Sequence, residues 1–249
     1  MIEISNLTKR FGSFTAVDNL TLTIPRGSIF AFLGTNGAGK TTTIRMMTGV
    51  LKPTSGSVKI CGHDIQTNPI EAKFCMGVIP DHPYVYGKLT GREFLCFMAD
   101  LYKVPAKLAH TRMDELLDTY GLVEWQHDLV DGYSHGMKQR LLMCAAMIHD
   151  PKVLVVDEPM VGLDPRGAKV LKDTFVERAE KGLTIFMSTH SLSVAQEVAD
   201  QLAIIQHGKI VAQGTLDDLF AQVNHRSADL EKVFLDIIGA EESETFTSH

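Results

Sequence analysis

"SIFAFLGTNGAGKTTTIRMMTGVL", residues 28–51, changes character twice along its length. "SIFAFLG" is a continuous apolar run, as expected of a strand covered on both faces. It enters a glycine-rich turn, after which "KTTTIRMMTGVL" takes helical spacing. Within this strand–turn–helix context "GTNGAGKT", residues 34–41, matches G-x-x-x-x-G-K-[ST]. Gly34, Gly37 and Gly39 let the backbone curl so that successive N–H groups point at phosphate oxygens, with Thr35, Asn36 and Ala38 completing the cradle. Lys40 then reaches the β- and γ-phosphates, the Thr41 hydroxyl ligates Mg²⁺, and Thr42 adds an α-phosphate contact. The helix contributes its positive end, worth ~0.3–1 kcal/mol per anionic charge at an exposed site. A flexible glycine loop matching by chance would lack the flanking strand and helix. The stretch therefore predicts binding of a nucleotide with Mg²⁺.

A second run, "VLVVDEP" at residues 153–159, reads as a buried strand with Asp157 at its C-terminal end. Ligands of open α/β sheets sit off that edge. Asp157 is expected to hold the Mg²⁺ shell, and Glu158 to polarise a water in line with the γ-phosphate. A capped loop would explain Asp-Glu alone; beside the phosphate cradle it is the weaker reading. His190 closes "FMSTH" at the same sheet edge, placed to bond the γ-phosphate.

Around these runs the chain alternates between two patterns. "NLTLTI" and "GSVKICG" have the period of half-buried antiparallel strands. From Tyr84 to Met147 the spacing is helical, with Thr90 and Glu93 as a capping box. "KVLVVDEP", "PRGAKVLKDTFVERAEKG" and "LTIFMSTH" follow in strand–helix–strand order, which predicts a parallel sheet. "QLAIIQHGKIVAQG" predicts a hairpin around His207-Gly208. The predicted fold is α/β: a parallel-sheet core with an N-terminal antiparallel β subdomain and an inserted α-helical subdomain. One domain would span residues 1–239, with core parts 1–83 and 148–239 around a helical part 84–147, and a polar tail at 240–249.

Composition bounds the rest. The chain has 249 residues, 45% hydrophobic and 22% charged, as in ordinary globular proteins. A net charge of −6 argues against a nucleic-acid coat. The four cysteines fit no zinc or CxxC spacing and read as free thiols in a reducing compartment. The stretch "MIEISNLTKRFGS" lacks a charged-then-apolar signal segment, and no apolar run approaches the ~18 residues of a membrane span. A soluble cytosolic chain is expected, with any membrane role peripheral.

With these residues in hand, the chain resembles the ATP-binding subunit of ABC transporters, over roughly Ile2 to Gly239. Phe11 in "TKRFGS" matches the aromatic that stacks on adenine, "GVIPDH" lies where the Q-loop falls, and "YSHGMKQR" where the signature falls. "LVVDEP", "GLDP" and "STH" match the second phosphate motif, the D-loop and the switch histidine. The resemblance implies a P-loop NTPase core of the RecA-like type. It also implies that Ser134, Gly136 and the helix after them grip the γ-phosphate of ATP held by a second subunit, with Asp164 near the shared interface. A serine hydroxyl, free amides and a helix N-terminus make such an anion site physically reasonable. A plain N-cap describes the same geometry without the partner.

The sequence departs from the family pattern in its signature, where LSGGQ becomes Tyr133-Ser134-His135-Gly136-Met137, and at the Q-loop, where Asp81 replaces glutamine. Asp81 can still join the Mg²⁺ shell, although its charge would repel the γ-phosphate unless neutralised. Similar departures, with "DLEKVF" near the C-terminus, resemble subunits serving ABC-2-type exporters. The implied function is an ATPase in which Lys40, Glu158 and His190 act catalytically. Its partners would be a second copy or a paralogous subunit, and membrane-embedded permeases that hold the chain peripherally at the inner face of the cell membrane. No nucleic acid and no membrane span of its own are expected. Two rival readings are a soluble ABC-type ATPase acting on ribosomes or DNA, and a P-loop kinase. The kinase leaves "YSHGMKQR", "GLDP" and "STH" unexplained.

Overall fold

The computed structural model describes residues 1–82, 84–222 and 230–237. The predicted polar tail at 240–249 lies outside the described residues, as does the start of the "DLEKVF" segment. In chain order the elements are β1 (Ile2–Phe11), β2 (Phe14–Ile24), β3 (Ile29–Leu33), α1 (Lys40–Met47), β4 (Ser55–Ile60), β5 (His63–Asp64), α2 (Pro69–Phe74) and β6 (Met76–Ile79). Three helices follow, α3 (Gly91–Leu101), α4 (Ala106–Thr119) and α5 (His135–Met147). The chain continues with β7 (Val153–Asp157), α6 (Pro165–Glu180), β8 (Thr184–Thr189), α7 (Leu192–Val198), β9 (Gln201–Gln206), β10 (Lys209–Gly214) and α8 (Leu216–Gln222).

Two sheets result. The first, in order β2-β1-β4-β5, is antiparallel throughout. The second runs β10-β9-β3-β8-β7-β6; its pairs are parallel except β9 with β10, which form the hairpin predicted at His207-Gly208. Both residues there have positive φ, 47° and 80°, as a two-residue hairpin turn demands.

Every residue of β3, β7 and β8 is buried, because each strand is covered on both faces. Alternate side chains feed two cores. Phe30, Phe32, Val153, Val155 and Phe186 pack with Ile44, Met46 and Met47 of α1 and with the antiparallel sheet. Ala31, Leu33, Leu154, Val156, Ile185 and Met187 pack toward α3 to α7. The Phe186 ring lies 5.9 Å from Phe30 and 5.4 Å from Phe32. Burying such a ring stabilises by about 1.5–3 kcal/mol. Of the helices between β6 and β7, α3 starts where the sequence predicts: Thr90 and Glu93 form a reciprocal capping box on it.

Three strands were not foreseen, one of them the two-residue β5. β1 carries irregular register between Ile4 and Leu7, where Asn6 takes φ 49° and breaks the alternation. β6 is four residues long and contains Gly77, too brief for a period to show. It nevertheless delivers Asp81 to the edge where β3, β7 and β8 end.

Candidate functional site

The carboxyl ends of the parallel strands converge on one cleft. β3 leads into the glycine loop, β7 ends at Asp157, and β8 leads directly into His190. The cleft has a volume near 390 Å³, and Thr35, Asn36, Gly37, Gly39, Lys40, Thr41, Thr42, Phe11, Asp81 and Glu158 line it. Phe14 and Ala16 line it too, and were not anticipated. Phe11 and Phe14 face each other across the β1–β2 turn, 50% and 63% exposed. Two exposed aromatics beside a polar loop are the sequence signal that Phe14 offered.

The loop's glycines serve different purposes. Gly39 has φ 115°, and a Cβ there would lie 2.7 Å from the Ala16 carbonyl oxygen. Gly34 is not in the left-handed region; it is glycine because the Ile205 carbonyl oxygen would lie 2.6 Å from any Cβ. α1 then begins at Lys40 without a side-chain cap, so its first-turn N–H groups remain free to donate.

Lys40 is 7% exposed and its ammonium donates to the carbonyls of Gly34 (2.7 Å) and Thr35 (3.3 Å). Glu158 Oε1 stands 3.8 Å from the same Nζ, and Glu158 Oε2 stands 2.9 Å from His190 Nδ1. Glu158 itself has φ 51°, a left-handed conformation that turns the chain off the end of β7. Its N–H donates to the Ser188 carbonyl at 3.1 Å, tying the turn to the neighbouring strand.

Asp157 is 2% exposed, and the hydroxyls of Ser188 and Thr41 both hydrogen-bond its carboxyl. Desolvation nevertheless raises its pKa above the ordinary carboxylate value, and the charges of Asp81 and Glu158 push the same way. The Asp81 carboxylate accepts from the His82 N–H at 2.8 Å and stands 2.9 Å from His82 Nδ1. Among the described residues, no group of three or more His, Cys, Asp or Glu is arranged to hold a metal alone.

The remaining nominated residues stand elsewhere. Ala38 is buried behind the loop. Ser134 caps α5, its Oγ accepting from the Met137 N–H at 3.2 Å, and does not line the cleft. Gly136 lies one residue inside that helix, and Asp164 caps α6 by accepting from the Gly167 N–H at 2.9 Å.

A family model described as "ABC transporter" matches residues 17–161, more than half of the chain. The chain belongs to the ABC transporter family. Bacitracin transport ATP-binding protein BcrA of Bacillus licheniformis is 41% identical over 88% of this chain and 71% of that protein. Daunorubicin resistance ATP-binding protein DrrA3 of Streptomyces coeruleorubidus is 34% identical over 92% and 72%. A solved ATP-binding subunit of an ABC transporter superposes with a TM-score of 0.92, at 30% identity, over 96% of this chain and 99% of that one. As an ABC ATP-binding subunit, the chain binds and hydrolyses ATP to power a transporter. Such subunits dimerise and work with membrane permeases. No helix among the described residues is long and apolar enough to cross a membrane.

Proposed function

We propose that this subunit hydrolyses ATP at a site shared between two copies, or between this chain and a close paralogue, and so drives a permease of the export type. One observation carries the reading: the Glu158 carboxylate bridges Lys40 and His190 at the mouth of a cleft walled by the glycine loop. The Lys40 ammonium already sits among oxygens, and β- and γ-phosphate oxygens are acceptors of the same kind. Backbone amides of residues 35–41 and the start of α1 surround the phosphates, and Thr42 reaches the α-phosphate. Phe11, and Phe14 beside it, provide a face for adenine.

Mg²⁺ fits the oxygen donors present. Thr41, Asp157 and Asp81 are hard ligands, and a dication would offset the crowding of carboxylates that raises the Asp157 pKa. Bound there, the ion would neutralise charge on the phosphate oxygens. Glu158 orients the attacking water and accepts its proton, while His190 holds both that carboxylate and the γ-phosphate. Positioning and electrostatics supply most of the catalysis in such sites.

Ser134, Gly136 and the α5 N-terminus are read as donors to ATP bound by the opposite copy, with Asp164 at the seam. Their place outside this chain's own cleft supports that reading. A full swing between open and closed pairs needs ~5.5 kcal/mol of differential binding. Two γ-phosphates, each with several charge-assisted hydrogen bonds at ~1.5–3 kcal/mol, suffice. Relatives named for bacitracin transport and daunorubicin resistance support export. The chain then works at the inner face of the cell membrane, held by its permease. Extraction of cell membranes in mild detergent tests this: a membrane-embedded protein is expected to copurify with the chain. Recovery with ribosomes or DNA instead would overturn the transport role.

A further inference from the structure

The signature of this chain carries an imidazole where the family pattern has a glycine, and the structure gives that imidazole a seat. His135 is the first residue of α5. Its ring covers Gly162 so closely that a Cβ on Gly162 would lie 2.6 Å from Nε2, well inside contact distance. Gly162 also has φ 81°, so its backbone favours glycine, and a methyl group there would have to displace the exposed ring. One residue further on, a Cβ on Gly136 would stand 3.4 Å from the Gly162 carbonyl oxygen. The first turn of α5 thus rests on a single peptide of the 161–164 turn through two consecutive residues.

That turn is continuous with the catalytic edge. The Val161 N–H donates to the Glu158 carbonyl at 3.2 Å, and the Leu163 N–H to the Met160 carbonyl at 3.3 Å. Asp164 then caps α6. Glu158, Gly162 and Asp164 are therefore linked through two hydrogen-bonded turns, and His135, next to Ser134, packs on this strip. Beneath it, Met137, Met160 and Leu163 pack against the same core, so the ring adds a surface contact to a buried one.

We propose that His135 is a positioning residue. Wedged against Gly162, it locks the 158–164 strip to the start of α5 within one protomer, so that Ser134 and Asp164 meet the partner copy as one preset surface. Closure then needs no search for the relative placement of the two elements, a saving in ordering that favours the paired state. The inference rests on the reading of Ser134 and Asp164 as partner-facing groups. It adds a residue that touches neither nucleotide nor, in this role, the partner.

A double-mutant cycle tests it. His135→Gly removes the wedge, His135→Gln retains most of its bulk, and Gly162→Ala drives a methyl group into the ring. His135→Gly is expected to lower kcat about five- to tenfold while KM for ATP stays within about twofold, because the chain's own cleft is untouched. His135→Gln should recover most of the loss. Gly162→Ala should be more damaging in the wild-type background than in His135→Gly, where the space is free. Unfolding midpoints of all four proteins separate these effects from misfolding. A wild-type kcat in His135→Gly, a KM that rises with the fall in kcat, or effects that simply multiply would each overturn the proposal. Ser134→Ala in a Glu158→Gln background, scored for ATP-dependent dimer, runs alongside. If Ser134→Ala weakens the dimer while the 135/162 cycle shows no coupling, the brace alone is wrong. If Ser134→Ala leaves the dimer intact, the partner reading is wrong and the brace loses its purpose.

Discussion

Glu158 and His190 meet across the ends of adjacent parallel strands, Oε2 standing 2.9 Å from Nδ1. The His190 main chain approaches the same oxygen, its N–H 3.4 Å away. The carboxylate is thus aimed by contacts outside its own strand, while its other oxygen faces Lys40. Glu158→Gln keeps shape and loses the proton acceptor. It is expected to bind ATP with near-normal affinity and to hydrolyse it at least about 100-fold more slowly, measured as phosphate release under saturating ATP.

Lys40→Met should separate binding from folding. The ammonium donates to the Gly34 and Thr35 carbonyls; Thr35 keeps the Ala38 N–H, but the buried Gly34 carbonyl loses this donor, at a cost of about 1–3 kcal/mol. Urea unfolding reads that cost. The upward shift in unfolding midpoint that ATP gives the wild type should vanish in the variant.

Asp157 predicts an opposite sign for stability and activity. Its pKa in the folded protein is raised by burial, so folding takes up a proton. The associated stability is complete below about pH 3.9, the unfolded carboxylate value, and is lost as pH rises through the folded-state pKa. At neutral pH, Asp157→Asn should therefore be more stable than wild type without nucleotide, yet nearly inactive. The difference between the two unfolding curves should shrink on acidification.

His149 predicts the reverse dependence at a site remote from the chemistry. Its ring stacks on Tyr102 at 3.7 Å between centroids, and burial lowers its pKa from 6.5 to about 4. The stability it confers is full above pH 6.5 and is lost as pH falls toward 4. His149→Phe keeps the stacking without the titration. Thermal unfolding between pH 7 and pH 4 should fall less steeply in the variant, and ATP hydrolysis at pH 7 should be unaffected.

The parallel core was legible because β3, β7 and β8 are buried on both faces and so read as unbroken apolar runs. The glycine loop and Asp157-Glu158 were legible because they follow those runs directly. Other features depend on tertiary contact, which leaves no periodic trace. Asn6 interrupts β1 through a register shift, and β6 is too short to show alternation. Gly34 looked like a residue needed for a turn, but the close approach of Ile205 explains it. The seat of His135 on Gly162 joins two motifs that are far apart in sequence and carry no mark of each other.

The central claim is that each ATP is completed by a second copy, and sedimentation of Glu158→Gln with ATP tests it most directly. The account predicts a monomer without ATP, a dimer with it, and a return to monomer when Ser134→Ala is added, with ATP still bound at near-normal affinity. A Ser134→Ala protein that dimerises as before, or one whose monomer no longer binds ATP, would contradict it.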